Sequence, residues 1–286
     1  MRTDFTPDNV DLWIDNWKRK EVVGSVITKS WLETYPFETA NIIVNHSSVT
    51  MEDFPEEIRH RVTLWPNVMR HDTARGPINR NINQAYVHTF LSGKKYCVVA
   101  HDSYYAKPGW EIPILTSDYD LYIAPQGEGW HLQTLDGLKT FGWWDERYAT
   151  MGWHEIDYIA RAFRKSFILK EGKASIVDKH GLWPVQFPFV NNRTRAMYYN
   201  TVGLEDYVLR LPKETHPQIG TRATEEFTKR AEEWHFRKWT HPFDHHNLEQ
   251  LERNVMYNLT NGPRESEIDW YPWLDLDCLK SDRSAY

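Results

Sequence analysis

Hydrophobic and polar positions follow two alternating periods along the first half of the chain. Thr6, a good N-cap, precedes Pro7, and Val10, Trp13, Ile14 and Trp17 then recur at helical spacing. That pattern predicts a short helix within about the first 20 residues. EVVGSVITKSW, Glu21 to Trp31, is rich in β-branched residues and predicts a buried strand. WLETYPF follows as a helical turn, ANIIVNHSS (Ala40 to Ser48) as a second strand, MEDFPEEIRHR as a polar helix and VTLWPN as a third strand. From Ile78 to Leu91, apolar Ile78, Ile82, Ala85, Tyr86 and Phe90 mark a helix that Gly93 closes. YCVVAH is the fourth strand. Units of about 20 to 30 residues in which strand and helix alternate predict a mostly parallel α/β sheet with crossover helices.

The second half is less regular. Tyr119 to Pro125 reads as a strand, and TLDGLKTFG as a short helix capped by Thr134. Trp153 to Lys165 predicts a helix with Ile156, Ile159, Ala160 and Phe163 on its apolar side, and ASIVDKHG a late strand. Beyond Tyr199 the chain turns to amphipathic helical patterns and ends in an aromatic, acidic tail. No internal repeat or Gly/Ser linker interrupts it. The expected organisation is a catalytic α/β domain over residues 1–200, its halves 21–115 and 116–200, followed by a helical extension over 201–286.

The composition, 41% hydrophobic and 26% charged, is that of a globular protein with material for a core. A net charge of −6 argues against a generic electrostatic grip on nucleic acid. No apolar run approaches the roughly 20 residues that span a bilayer. The two cysteines, Cys97 and Cys278, are too few for a disulfide framework. Together with an N-terminus lacking an apolar core, they point to a cytoplasmic setting. Fourteen tryptophans stand out. Aromatic faces stack on sugars and bases, although most such rings fill cores.

In a parallel sheet, ligands bind beyond the carboxyl ends of the strands. Three predicted strand ends carry polar groups: Asn45-His46-Ser47-Ser48, Asn67, and His101-Asp102-Ser103. The landmarks VNHSS, RGPINRNINQA, YCVVAHDSYYAKPGW, FGWWDERY and GWHEIDYIAR come in an order that resembles the GT-A-fold, family-2-like inverting glycosyltransferases. The resemblance covers about residues 21 to 182. It implies a nucleotide-diphospho-sugar transferase fold and transfer of a sugar from a UDP- or GDP-sugar to a hydroxyl acceptor such as a glycan or glycoprotein. By the same resemblance Asn45, Ser47, Arg80, Asn81 and Asp102 bind the donor, and Glu155 is the general base. Asp145, Glu146 and Asp157 contact the acceptor, with Trp143 and Trp144 as stacking platforms.

Hard carboxylate oxygens at a strand end suit Mg²⁺ or Mn²⁺, which would neutralise charge on a leaving diphosphate. Asp102, with His180 further on, is the implied metal set. His101 and Ser103 stand where the family's Asp-x-Asp carries its acids, so weaker, shifted or absent metal binding stays open. Asp157 and Arg161 are also spaced for a surface salt bridge. Asp118 and Asp120 spell a second Asp-x-Asp, but ahead of a strand rather than at its end. His241, His245 and His246 fit no common zinc spacing. Walker A, Gly-x-Gly-x-x-Gly and Gly-x-Ser-x-Gly patterns are missing. Three alternatives remain: a carbohydrate- or nucleotide-binding protein of the same fold with altered catalysis, a sugar nucleotidyltransferase, and a transferase whose acceptor is a modified DNA base, which the acidic net charge disfavours.

Overall fold

The computed structural model of the chain describes residues 2–17, 20–45, 48–67, 78–116, 120–124, 127–148, 154, 157–158, 167–170, 173–178, 181–182, 207–212, 229 and 233–235. A six-stranded sheet organises it. Its strands are β1 (Val10–Trp17), β2 (Ala40–Asn45), β3 (Val62–Pro66), β4 (Tyr96–His101), and, after the short β5 (Tyr104–Ala106), β6 (Leu121–Ala124) and β7 (Gly127–Thr134). Across the sheet the order is β3-β2-β1-β4-β7-β6. The first four strands are mutually parallel, while β7 runs antiparallel to both β4 and β6. The fold is therefore α/β with a mostly parallel central sheet flanked by helices.

The first two expected elements come out reversed. Val10–Trp17 is the central strand of the sheet, and only Pro7–Asn9 forms a single 3₁₀ turn behind Thr6. The apolar stripe misled because both faces of β1 are covered, so that residues 12–16 are all buried and the burial shows no period of two. Glu21–Trp31, in turn, is helical. Segments α1 (Lys20–Val22) and α2 (Lys29–Thr34) flank a π-helical run, Val23–Thr28. Two parallel neighbours, β1 and β2, need a crossover on one face of the sheet. Val23, Ile27 and Trp31, spaced four apart and fully buried, supply the helical stripe that packs there. Gly24 lets this run sit against the backbone of residue 53, where a Cβ would come within 2.1 Å of the Asp53 carbonyl oxygen.

The two faces of the sheet differ in kind. Leu12, Ile14, Ile42, Val98, Ala100 and Leu132 belong to an apolar core with Trp31, Trp110 and Trp130. Trp31 meets Trp110 edge-on at 5.1 Å, and its indole N–H donates to the Tyr104 carbonyl at 3.0 Å. The opposite face lies against α4 (Ile78–Leu91) and is much more polar. Trp13 Nε1 donates to Thr89 Oγ1 at 2.9 Å there. Gly93, at φ +85°, ends this helix in the left-handed conformation that glycine adopts without strain.

The remaining described elements are a 3₁₀ turn (Met51–Asp53), α3 (Glu56–Arg59), α5 (Ile112–Thr116), α6 (Leu135–Phe141) and strands β8 (Phe167–Lys170), β9 (Lys173–Asp178), β10 (Gly181–Leu182) and β11 (Val208–Arg210). Thr134 caps α6 as expected, its hydroxyl accepting from Gly137 N at 2.9 Å. β11 pairs antiparallel with β5, and Val208 joins the apolar core. The segment after residue 200 is thus not wholly helical, and part of it completes the body of the fold. Among the described residues no helix is long and apolar enough to cross a membrane.

Candidate functional site at the strand ends

Because β1 to β4 run parallel, their carboxyl ends share one edge of the sheet. Chain order reverses direction between β1 and β4: β2 and β3 follow on one side of β1, β4 on the other. At such a reversal the connecting segments diverge and open a crevice, the usual place for a ligand in an open α/β sheet.

The residues at this edge form one hydrogen-bonded cluster. At its centre is Asp15, the third residue from the end of β1 and only 7% exposed. Its Oδ1 accepts the side-chain amides of Asn45, at 2.5 Å, and Asn81, at 2.9 Å. Asn45 comes from the end of β2 and Asn81 from the first turn of α4. Asn67, one residue past β3, donates to Asn45 Oδ1 at 2.6 Å and to Asn81 Oδ1 at 3.0 Å. Beside this cage Asp102, just past β4, accepts Asn16 Nδ2 at 3.0 Å and the Trp17 backbone N–H at 2.6 Å on Oδ2. The Asp102 N–H donates to the Asp15 carbonyl at 3.1 Å, joining the two carboxylates through the backbone.

Burial makes Asp15 hard to ionise and pushes its pKa from 3.8 up to about 6, although the Asn45 and Asn81 amides pull the other way. Among the described residues no ion pair offsets the desolvation. A carboxylate kept in such surroundings costs stability, and sites of function are where proteins tolerate that cost.

The structure thus brings Asn45, Asn67, Asn81 and Asp102 together, as their positions at strand and helix ends suggested. Arg80, next to Asn81, is exposed on the first turn of α4. Sequence reasoning misses Asp15 and Asn16 because VDLWIDNW has the spacing of a helix face. The signal that would have found them is the Asp-Asn pair closing an apolar run.

The residues expected on the acceptor side are placed differently. Trp143 and Trp144 are fully buried. Trp144 stacks on Tyr158 at 4.2 Å and 4°, and its indole N–H donates to Tyr86 Oη at 3.1 Å. Both rings belong to the interior, so neither offers a face to a sugar; this corrects their expected role as platforms. Asp145 is also buried and forms a two-pronged ion pair with Arg147, Nε to Oδ1 at 2.8 Å and Nη2 to Oδ2 at 2.7 Å. Glu146 Oε1 accepts Asn83 Nδ2 at 2.9 Å. Asp157 is fully buried rather than at the surface, and its Oδ1 accepts the Tyr148 hydroxyl at 3.4 Å; Arg161, its expected ion-pair partner, lies outside the described residues. That hydroxyl also lies 3.1 Å from His235 Nδ1, and the Arg147 guanidinium sits 4.3 Å from the Trp234 ring. Nothing in the sequence had singled out Tyr148, Trp234 or His235.

Asp120 of the second Asp-x-Asp is tied to structure, 3.8 Å from Arg2 Nη2 and accepting Thr134 Oγ1 at 2.9 Å. Ser47, Asp118, Glu155, Arg161, His180 and the histidines at 241, 245 and 246 lie outside the described residues. Among the described residues no group of three or more His, Cys, Asp or Glu side chains could hold a metal ion. Of the pair implied to hold Mn²⁺ or Mg²⁺, Asp102 lies in the strand-end cluster and His180 lies outside the described residues. Compared with known proteins, the chain matches no family model and no curated protein, so the reading of this site rests on its own residues and geometry.

Proposed function

We propose that the protein is a glycosyltransferase that moves a sugar from a nucleoside diphosphate to a hydroxyl acceptor, with inversion. The observation that carries this reading is the polar cluster of Asp15, Asn16, Asn45, Asn67, Asn81 and Asp102 at the strand-order reversal. Buried carboxylates and amides, collected at the edge where an α/β sheet takes its ligand, suit a nucleoside rich in hydroxyl and N–H groups. The order of sequence landmarks supports transfer as the chemistry.

In this reading the cluster holds the nucleoside, Asp102 a ribose hydroxyl or the diphosphate side, and Arg80 the phosphate charge. Glu155 takes the proton of the acceptor hydroxyl as its oxygen attacks the anomeric carbon. A new C–O bond forms opposite the breaking bond to the diphosphate, which departs as the nucleoside diphosphate. The acceptor is a glycan or glycoprotein.

A panel of nucleotide-sugars, scored for thermal stabilisation and for release of the nucleoside diphosphate with and without Mn²⁺, tests the proposal. Stabilisation by one donor, with turnover that Glu155→Gln abolishes while donor binding persists, is the expected result. Full turnover in Glu155→Gln would remove the base assignment. Binding without turnover under any acceptor would favour a nucleotide-binding protein of altered catalysis.

A further inference from the structure

We propose that the outer edge of β3 is an interaction surface whose partner is β3 of a second copy of this chain, the two strands pairing antiparallel about a two-fold axis at Leu64. The pairing is independent of what the strand-end cluster binds.

β3 is an outermost strand of the six-stranded sheet. The Arg61 carbonyl accepts the Ala40 N–H at 2.8 Å, and the Asn67 N–H donates to the Val44 carbonyl at 3.0 Å. In a parallel ladder both backbone groups of a residue turn to the same side, and the sides alternate along the strand. Arg61, Thr63, Trp65 and Asn67 therefore direct theirs to β2, and Val62, Leu64 and Pro66 turn theirs outward. Among the described residues nothing bonds to those outward groups. Proteins blunt such an edge with charged side chains, bulges or proline. VTLWP carries no charge, and its register with β2 is unshifted. Its proline stands at the last position, where the missing N–H is one that would face outward and the carbonyl stays free to accept.

A second β3 fits this edge along its whole length. Laid antiparallel with all five residues overlapping, Leu64 and the partner's Leu64 exchange two N–H···O bonds, and the Val62 N–H of each copy meets the Pro66 carbonyl of the other. Every outward N–H then has an acceptor, although proline brings none of its own. The side chains agree with this register. Val62 and Leu64 lie half-buried against the apolar core, on the face where each copy would extend the other's core. On the opposite face Trp65 comes beside the partner's Thr63. Trp65 is half-buried and already held: its indole N–H donates to Asn41 Oδ1 at 3.0 Å, and its ring lies 5.3 Å from Trp13 and 4.5 Å from His88. A rigid aromatic ring loses little freedom on being covered, which suits it as an anchor. Antiparallel pairing also points the strand-end crevices of the two copies in opposite directions. Five residues a side make a small interface, so the affinity is of roughly micromolar order.

Sedimentation equilibrium of the full chain over a concentration series, with amide hydrogen exchange at each concentration, is the test. The expected result is a reversible monomer–dimer equilibrium in which exchange at Val62 and Leu64 slows as concentration rises. Thr63 and Trp65, bonded to β2, should exchange slowly throughout. Leu64→Pro removes an N–H that no strand of the monomer uses, and should weaken the dimer roughly ten- to hundredfold, two hydrogen bonds' worth, with the sheet retained. Thr63→Lys sets a charge at an exposed position that the partner's Trp65 would cover. It should give a monomer, and it decides the matter if the proline impairs folding. A wild type that stays monomeric up to about 1 mM overturns the proposal. So does a dimer that both variants leave unchanged, or one in which exchange at Leu64 ignores concentration. Protection of Leu64 brought on by an added strand-forming peptide, and not by concentration, would give the edge to a different chain and overturn self-pairing.

Discussion

Replacing Asp15 by asparagine should stabilise the protein at neutral pH, and by an amount that pH controls. The native carboxyl titrates near 6 rather than 3.8, because burial disfavours its charge more than the two amides favour it. A raised native pKa means that the folded state holds its proton more firmly than the unfolded chain. Stability is therefore greatest below about pH 4, falls as pH rises towards 6, and levels off above that. The interval of about two pH units, at about 1.4 kcal/mol each, amounts to about 3 kcal/mol lost by neutral pH. The asparagine variant carries no such charge and preserves the shape of the side chain. Any fixed penalty from an imperfect amide fit is the same at every pH and drops out of the comparison. Urea unfolding of both proteins at pH 4 and pH 8 measures the effect, with the variant's advantage growing by about 3 kcal/mol between them. An advantage that does not change with pH, or one that shrinks, would refute the account of Asp15 as a buried and uncompensated acid. Together with a loss of nucleotide binding, greater stability would show a residue kept for function at the expense of the fold.

Other consequences can be measured separately. Asn83→Ala removes the amide that donates to the Trp144 carbonyl and to Glu146 and accepts from the Trp144 N–H. It should cost about 2 to 3 kcal/mol, because buried backbone groups are left unpaired, and chemical denaturation would report it. Gly24→Ala drives a methyl group into the Asp53 carbonyl, 2.1 Å away, and should lower the melting temperature by several degrees or prevent folding. Trp144→Ala should act through the core and lose about 3 to 5 kcal/mol of stability. Donor binding measured well below that variant's melting point should persist, whereas a ring serving as a sugar platform would be lost from transfer kinetics with the fold intact.

How much could be read in advance depended on whether a local signal had one meaning. YCVVAH and ANIIVN were found because each is a short apolar run with polar residues at its exit. Helix α4 was found because Ile78, Ile82, Ala85, Tyr86 and Phe90 keep a single period. VDLWIDNW was ambiguous: positions 10, 13, 14 and 17 mimic a helix face, while a strand covered on both sides has no alternation to betray it. VVGSVIT has strand-like residues, but the topology of two parallel neighbours outweighs propensity. For the site, Asn45, Asn67, Asn81 and Asp102 were legible as polar residues at element ends. Asp15 and Asn16 were lost with their strand. The indoles of Trp143 and Trp144 were misplaced because composition cannot say on which side of a surface an aromatic ring lies.

The three asparagines at the start of α4 have a mechanical consequence. Asn79 and Asn83, one turn apart, grip the backbone at Asp145 and Trp144, while Asn81 on the opposite side of the same turn is bolted to the strand ends. The helix tip is thus a shared mount. Whatever tilts it from one side is felt on the other, so the two halves of the molecule are geared together through less than two turns of helix.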